Sequence, residues 1–194
     1  MEKHNLNLPD SEILYFPGFL RKEIAENYLD LFLKELQWEQ KEIVIFGKKI
    51  PQPRLTALYA ENQTPYTYSG LTLFPEEFTP QLEEIRRKLL TLTGISFSHC
   101  LANLYRDGND SMGLHSDDEK ELGKNPVIAS LSLGAKRKFQ LKHKKDKELK
   151  ANLELAEGSL LLMQGPTQHH WKHQLPKTKK PVGPRINLTF RRIY

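Results

Sequence analysis

The triplet His115-Ser116-Asp117 sets an imidazole and a carboxylate two residues apart. In an extended segment such residues point the same way, so both could converge on one metal ion. A later cluster, His169, His170 and His173, offers a third ligand without indicating which of them supplies it. Two histidines and one carboxylate cover one side of an iron(II) ion and leave the other open for O2 and a co-substrate. Near the end of the chain, Arg185-Ile186-Asn187-Leu188-Thr189-Phe190-Arg191 alternates strictly, with Arg185, Asn187, Thr189 and Arg191 on one face. Two guanidiniums, an amide and a hydroxyl suit a dicarboxylate, because arginine grips a carboxylate through paired charge-assisted hydrogen bonds. Asn103 and Tyr105 share a face in the same way, upstream of His115.

These groups need strands to hold them. Strands are expected over Phe97–Tyr105, Val127–Leu133, Phe139–His143, Asn152–Leu155, Ser159–Met163, Trp171–Leu175 and Arg185–Arg191. Asp107-Gly108, Gly134, Glu157-Gly158, Gly165-Pro166 and Pro184 punctuate them. Many short strands with turn residues between them indicate a sandwich or barrel. Two helices come first. One runs over Leu20–Leu36, with Ile24, Tyr28, Leu31 and Phe32 on one face; the other runs over Thr79–Thr93, with Leu82, Ile85, Leu89 and Leu92 as its stripe. Thr79 can cap the second helix, Pro80 suits its first position and Gly94 its end. The fold expected is mainly β, a jelly-roll core with the N-terminal helices packed on one side.

The 194 residues make roughly one domain, long enough to bury a core without staples. A single cysteine, Cys100, allows no internal disulfide and no cysteine-based zinc finger, so any metal must be held by His, Asp or Glu. No apolar run approaches the ~20 residues of a membrane span, and no apolar stretch follows Met1-Glu2-Lys3-His4 to make a signal peptide. An intracellular protein that does not enter a membrane is expected, cytoplasmic in a bacterium or nuclear in a eukaryote, and monomeric. The formal net charge of +5 hints at an anionic partner.

At these residues the chain resembles the AlkB family of iron(II)/2-oxoglutarate dioxygenases, and is most similar to its alkylated-DNA repair branch, which includes a double-strand-preferring animal homologue. The similarity runs from about Phe46 onward. It rests on Phe46-Gly47-Lys48, Pro53-Arg54, Tyr66-Thr67-Tyr68-Ser69-Gly70-Leu71, Asn103-Leu104-Tyr105, His115-Ser116-Asp117-Asp118-Glu119, Ile128-Ala129-Ser130, Gly158-Ser159-Leu160-Leu161, His170-Trp171-Lys172-His173 and Pro184 to Arg191. The resemblance implies a double-stranded β-helix whose iron ligands are His115, Asp117 and His173, with His169 and His170 outside the coordination shell. It implies that Asn103, Tyr105, Arg185, Asn187, Thr189 and Arg191 surround 2-oxoglutarate. The domain would divide into a helical and nucleotide-recognition part, about 1–96, and a catalytic core, about 97–194. The implied reaction couples decarboxylation of 2-oxoglutarate to succinate, with O2, to hydroxylation of an alkyl carbon on a damaged base. The hydroxymethyl group then leaves as formaldehyde.

A methyl on the pairing edge of a base is out of reach inside a duplex, so the base must be flipped out. The resemblance implies that Tyr68 and His115 sandwich it beside Tyr66, that Phe46 fills the gap left behind, and that Arg54 contacts substrate. Tyr68 stands where the close animal homologue has phenylalanine, and Ala60 where relatives often have glycine. Asp118 and Glu119 would accept from the exocyclic amine and favour cationic bases such as N1-methyladenine and N3-methylcytosine. Lysines clustered at Lys136-Arg137-Lys138, Lys142 to Lys145, and Lys177, Lys179 and Lys180 are plausible phosphate contacts. Alkylated DNA is the expected partner. The same chemistry on RNA, or a nucleic-acid-binding jelly roll without turnover, are the alternatives.

Overall fold

The computed structural model describes residues 2–45, 47–62, 65–68 and 71–194, with backbone alone at 44, 45, 66–68 and 71–73. In chain order the elements are β1 (His4–Asn5), β2 (Glu12–Phe16), α1 (Lys22–Glu35), β3 (Glu42–Ile45), β4 (Lys48–Pro51), β5 (Leu55–Ala60), β6 (Tyr66–Tyr68), β7 (Leu71–Leu73), β8 (Glu76–Glu77), α2 (Pro80–Thr93), β9 (His99–Tyr105), β10 (Met112–His115), β11 (Ile128–Gly134), β12 (Arg137–His143), β13 (Lys150–Leu155), β14 (Leu160–Gln164), α3 (Thr167–His170), β15 (Trp171–Leu175) and β16 (Arg185–Arg191). Phe46 lies outside the described residues, as do the side chains of Tyr66 and Tyr68.

Two sheets build the jelly roll. The major one runs β1-β2-β14-β11-β16-β9-β5-β8, and the minor one β10-β15-β12-β13. Four strands of the major sheet, β1, β2, β5 and β8, precede Phe97, so strands do not simply follow the helices as the sequence suggested. Alternation explains how β16 sits between layers. Ile186, Leu188 and Phe190 join the core with Phe32 of α1 and Leu82, Ile85 and Leu89 of α2, so both helices cover the outer face of the major sheet. The opposite face of β16, carrying Arg185, Asn187, Thr189 and Arg191, turns toward the minor sheet and lines a pocket with it. A second core made by Ile13, Phe139, Leu141, Leu161 and Trp171 fills the space between the sheets.

Helix ends follow local chemistry. The Thr79 hydroxyl accepts from Leu82 N at 3.3 Å, Pro80 opens α2, and Gly94 closes it at φ 72°. At the end of α1 the Phe32 carbonyl accepts from the Leu36 N–H at 3.3 Å and from the Trp38 indole at 3.0 Å.

Candidate active site

His115 ends β10 and His173 lies on β15, directly opposite in register. Between them the pairing is irregular: three steps along β10, from Met112 to His115, face two steps along β15, from Leu175 to His173. This bulge lets Met112 and His115, an odd number of positions apart, share the inner face, while Leu114 turns outward and is 41% exposed. Asp117 follows just beyond the strand and is buried. One ligand atom from each of His115, Asp117 and His173 lies within 4.8 Å of the others. The imidazole rings of His115 and His173 meet edge to face, centroids 4.3 Å apart.

Hydrogen bonds orient this set. His115 Nδ1 lies 2.8 Å from the Gly113 carbonyl, which can only accept, so Nδ1 carries the proton and Nε2 presents its lone pair. A histidine whose second nitrogen donates to a carbonyl is the usual partner arrangement of a metal ligand. Asp117 N donates to Gln168 Oε1 at 3.0 Å, and Ser116 Oγ donates to the Trp171 carbonyl at 3.2 Å. Arg191 Nη2 donates to Asp117 Oδ1 at 2.7 Å, leaving Oδ2 3.6 Å from His173 Nε2. Burial alone would push the Asp117 carboxyl up, but Arg191, His173 and His115 together hold it well below the usual carboxylate range. Burial pushes His173 down to about 3, with His115 adding and Asp117 opposing, so the ring is neutral. A neutral imidazole and an ionised carboxylate are the protonation states that a metal requires.

Beside these ligand-type groups, the pocket is lined by Asn103, Tyr105, Arg185, Asn187, Thr189 and Arg191. Arg185 is 1% exposed, and its guanidinium lies over the Tyr105 ring at 5.4 Å. Its Nη2 donates to Ser132 Oγ at 2.9 Å, yet its Nε is buried with no hydrogen-bond partner, and no carboxylate pairs with it among the described residues. Burial, with Arg137 adding, pushes it down to about 10, so it stays charged at neutral pH. A buried cation without a counter-charge is costly to fold around, and an anionic ligand relieves that cost. Asn187 donates to Ser130 Oγ at 2.8 Å, and Thr189 donates to Asn187 Oδ1 at 3.2 Å.

The remaining candidates are placed differently. Arg54 is buried and donates through Nε to Asn103 Oδ1 at 2.9 Å, so it orders a pocket residue from behind. Asp118 is half exposed and held by Lys144 Nζ at 2.9 Å. Glu119 has a buried Oε2 with no hydrogen-bond partner, and burial pushes its carboxyl up. Arg137 is no phosphate contact. It is buried and donates to the carbonyls of Asp107, Asp110 and Pro176, fastening loops beneath Tyr105. Gln168, which accepts from Asp117 N, was not singled out in the sequence because it sits at no motif spacing, and Lys144, expected there as a phosphate contact, donates to Asp118 and to the Gln168 carbonyl.

The chain matches the model of the 2OG-Fe(II) oxygenase superfamily over residues 12–191. It is 39% identical over 193 residues to alpha-ketoglutarate-dependent dioxygenase alkB homolog 3 of Mus musculus, covering 95% of this chain and 67% of that protein. It is 45% identical over 158 residues to DNA oxidative demethylase ALKBH2 of Homo sapiens, covering 78% of this chain and 60% of that protein. The solved structure of OsALKBH1 superposes with a TM-score of 0.70 at 18% identity, covering 98% of this chain and all of that one, which establishes the jelly-roll fold.

Proposed function

The chain belongs to the 2OG-Fe(II) oxygenase superfamily, an iron(II)- and 2-oxoglutarate-dependent dioxygenase, and from that premise we propose that it removes alkyl groups from damaged bases of DNA. The observation that carries this reading is the His115, Asp117 and His173 set sharing one pocket with the buried, unneutralised Arg185, in a chain 45% identical to a DNA oxidative demethylase.

In this reading His115 Nε2, an Asp117 carboxylate oxygen and a His173 ring nitrogen would hold the iron. Bound there with 2-oxoglutarate and O2, iron(II) supplies oxidation of an alkyl C–H bond, and the co-substrate leaves as succinate and CO2. The protein's own part is positioning. Arg191 fixes one oxygen of Asp117 and would leave the other, beside His173, for the metal. Arg185, whose Nε no protein group satisfies, would hold the distal carboxylate of 2-oxoglutarate, with the Tyr105 ring against its guanidinium. Asn103, Asn187 and Thr189 complete the polar wall. Glu119 Oε2, buried and unpartnered, is the acceptor offered to the exocyclic amine of a flipped base.

The test incubates the protein with iron(II), 2-oxoglutarate and oligonucleotides carrying N1-methyladenine or N3-methylcytosine. Formaldehyde release in step with restored bases is expected, and none from His173→Ala. Matched RNA oligonucleotides reveal which polymer is preferred. Succinate formation with no base repaired on either polymer would refute the substrate assignment.

A further inference from the structure

Outside the catalytic pocket, the described residues bring ligand-type side chains together at one other place. Asp10, His143 and His170 each present an oxygen or a ring nitrogen, all within 4.8 Å of one another. They come from three distant stretches: the turn between β1 and β2, the end of β12, and the end of α3. The imidazoles lie nearly parallel, centroids 5.9 Å apart and planes 13° apart. The His143 side chain is only 6% exposed, and its Nε2 is buried without a hydrogen bond, 3.5 Å from Asp10 Oδ2. Asp10 holds φ 51°, a left-handed conformation uncommon outside glycine. The neighbouring Pro9 carbonyl accepts from the Trp171 indole at 2.8 Å, which fixes the turn that presents the carboxylate. A buried ring nitrogen left without a hydrogen bond, its carboxylate neighbour too distant to give one, calls for an explanation.

We propose that Asp10, His143 and His170 form a second cation site, structural in role and suited to zinc. Two imidazole nitrogens and one carboxylate oxygen are donors that zinc prefers and that calcium and magnesium do not. Asp10 stands more than half exposed, so water completes the tetrahedron. The Asp146 N–H donates to His143 Nδ1 at 3.0 Å, so in this geometry the ring proton sits on Nε2. Coordination through Nε2 moves that proton to Nδ1. The ring stays neutral, and the Asp146 N–H loses its acceptor. Zinc therefore ties the N-terminal strand pair to β12 and to the start of β15, and resets the turn between β12 and β13.

The test titrates the full chain with zinc against a chromophoric chelator while backbone amide resonances are followed. The wild type takes up two equivalents. His173→Ala retains one of them, and the Asp146 amide moves with it. Asp10→Asn, a change at an exposed side chain that leaves the fold and the dealkylation rate intact, weakens that equivalent by about tenfold or more, and His143→Ala abolishes it. A wild type that takes up a single equivalent, an additional equivalent that survives both substitutions, or an Asp146 amide that does not respond would overturn the site. None of these outcomes bears on the dealkylation reaction, which is read separately from formaldehyde.

Discussion

At the scale of single residues, the most telling group is a buried cation with no carboxylate to answer it among the described residues. Arg185 keeps its charge while 1% exposed, and among the described residues Ser132 and Tyr105 attend to it, neither of them a counter-charge at neutral pH. Lysine would keep the charge but lose the planar fork that matches a carboxylate. Arg185→Lys is therefore expected to weaken 2-oxoglutarate binding about tenfold, roughly 1.4 kcal/mol, with iron affinity unchanged. Calorimetric titration in the presence of iron(II) measures this, and equal affinities for the two proteins would remove Arg185 from the co-substrate site. Glu119 makes a complementary case, an acceptor with no donor. Glu119→Ala should lower the repair rate of N1-methyladenine by about tenfold or more, as loss of a specific base contact does, and leave iron binding intact. Steady-state repair kinetics beside a metal titration separate the two effects, and unchanged kinetics would dismiss this role.

At the scale of elements, a positive φ sets the path of the chain between the sheets. Gly134 ends β11 at φ 79°, and a Cβ there would lie 2.5 Å from the Pro184 carbonyl, just before Arg185. Gly134→Ala should cost about 2–3 kcal/mol and weaken 2-oxoglutarate binding as the start of β16 shifts. Urea unfolding checks the first effect, and a midpoint equal to wild type would contradict it. The same scale shows what could be read before any coordinates. The α2 boundaries were legible because cap, proline and glycine all spoke for the same helix. β16 was legible because its strict alternation serves two different environments, helices on one side and the pocket on the other. β5 was missed because Leu55–Ala60 is buried on both faces almost throughout and shows no alternation to read. β10 was missed because its bulge breaks the two-residue period at the very place where His115 must turn inward. His115 and Asp117 could be named because ligand chemistry limits the residue types, whereas only the family resemblance set His173 apart from His169 and His170. The pairing of Arg191 with Asp117, 74 positions apart, leaves no trace in spacing.

At the scale of the whole molecule, charge and pH act on everything at once. Lys136, Lys138, Lys177 and Lys180 border one groove, with Glu154 the acidic residue among them. If this groove carries phosphates, affinity for an alkylated duplex falls steeply as salt rises, and replacing Lys177 and Lys180 by alanine lowers the slope of log affinity against log salt by about two. Filter binding across a salt series tests it, and parallel slopes would clear these lysines of phosphate contact. Stability has its own pH lever in Asp110, nearly buried and bound by the backbone and guanidinium of Arg106. Burial pushes its carboxyl up, but the Arg106 bonds outweigh this, and the net direction is down. A depressed carboxyl stabilises the fold fully above its unfolded value, about 4, and the gain is lost as pH falls toward the lower folded value. Asp110→Asn should thus cost about 1–2 kcal/mol at pH 7, tempered by the partial exposure of Arg106, and progressively less below about pH 4. Denaturant curves at both pH values show whether the gap narrows, and a gap that widens on acidification would reverse the sign.

The strand order of the major sheet carries one further consequence. β16, the last strand in the sequence, sits between β11 and β9, not at an edge. While the protein is being synthesised, those two neighbours emerge from the ribosome long before the segment that joins them, and until it arrives each exposes a bare flank of backbone donors and acceptors. The same late segment brings Arg185 and Arg191 to the pocket. Assembly of the catalytic centre therefore waits on β16, and a nascent chain halted short of Arg185 has nothing to fill the cleft in its main sheet.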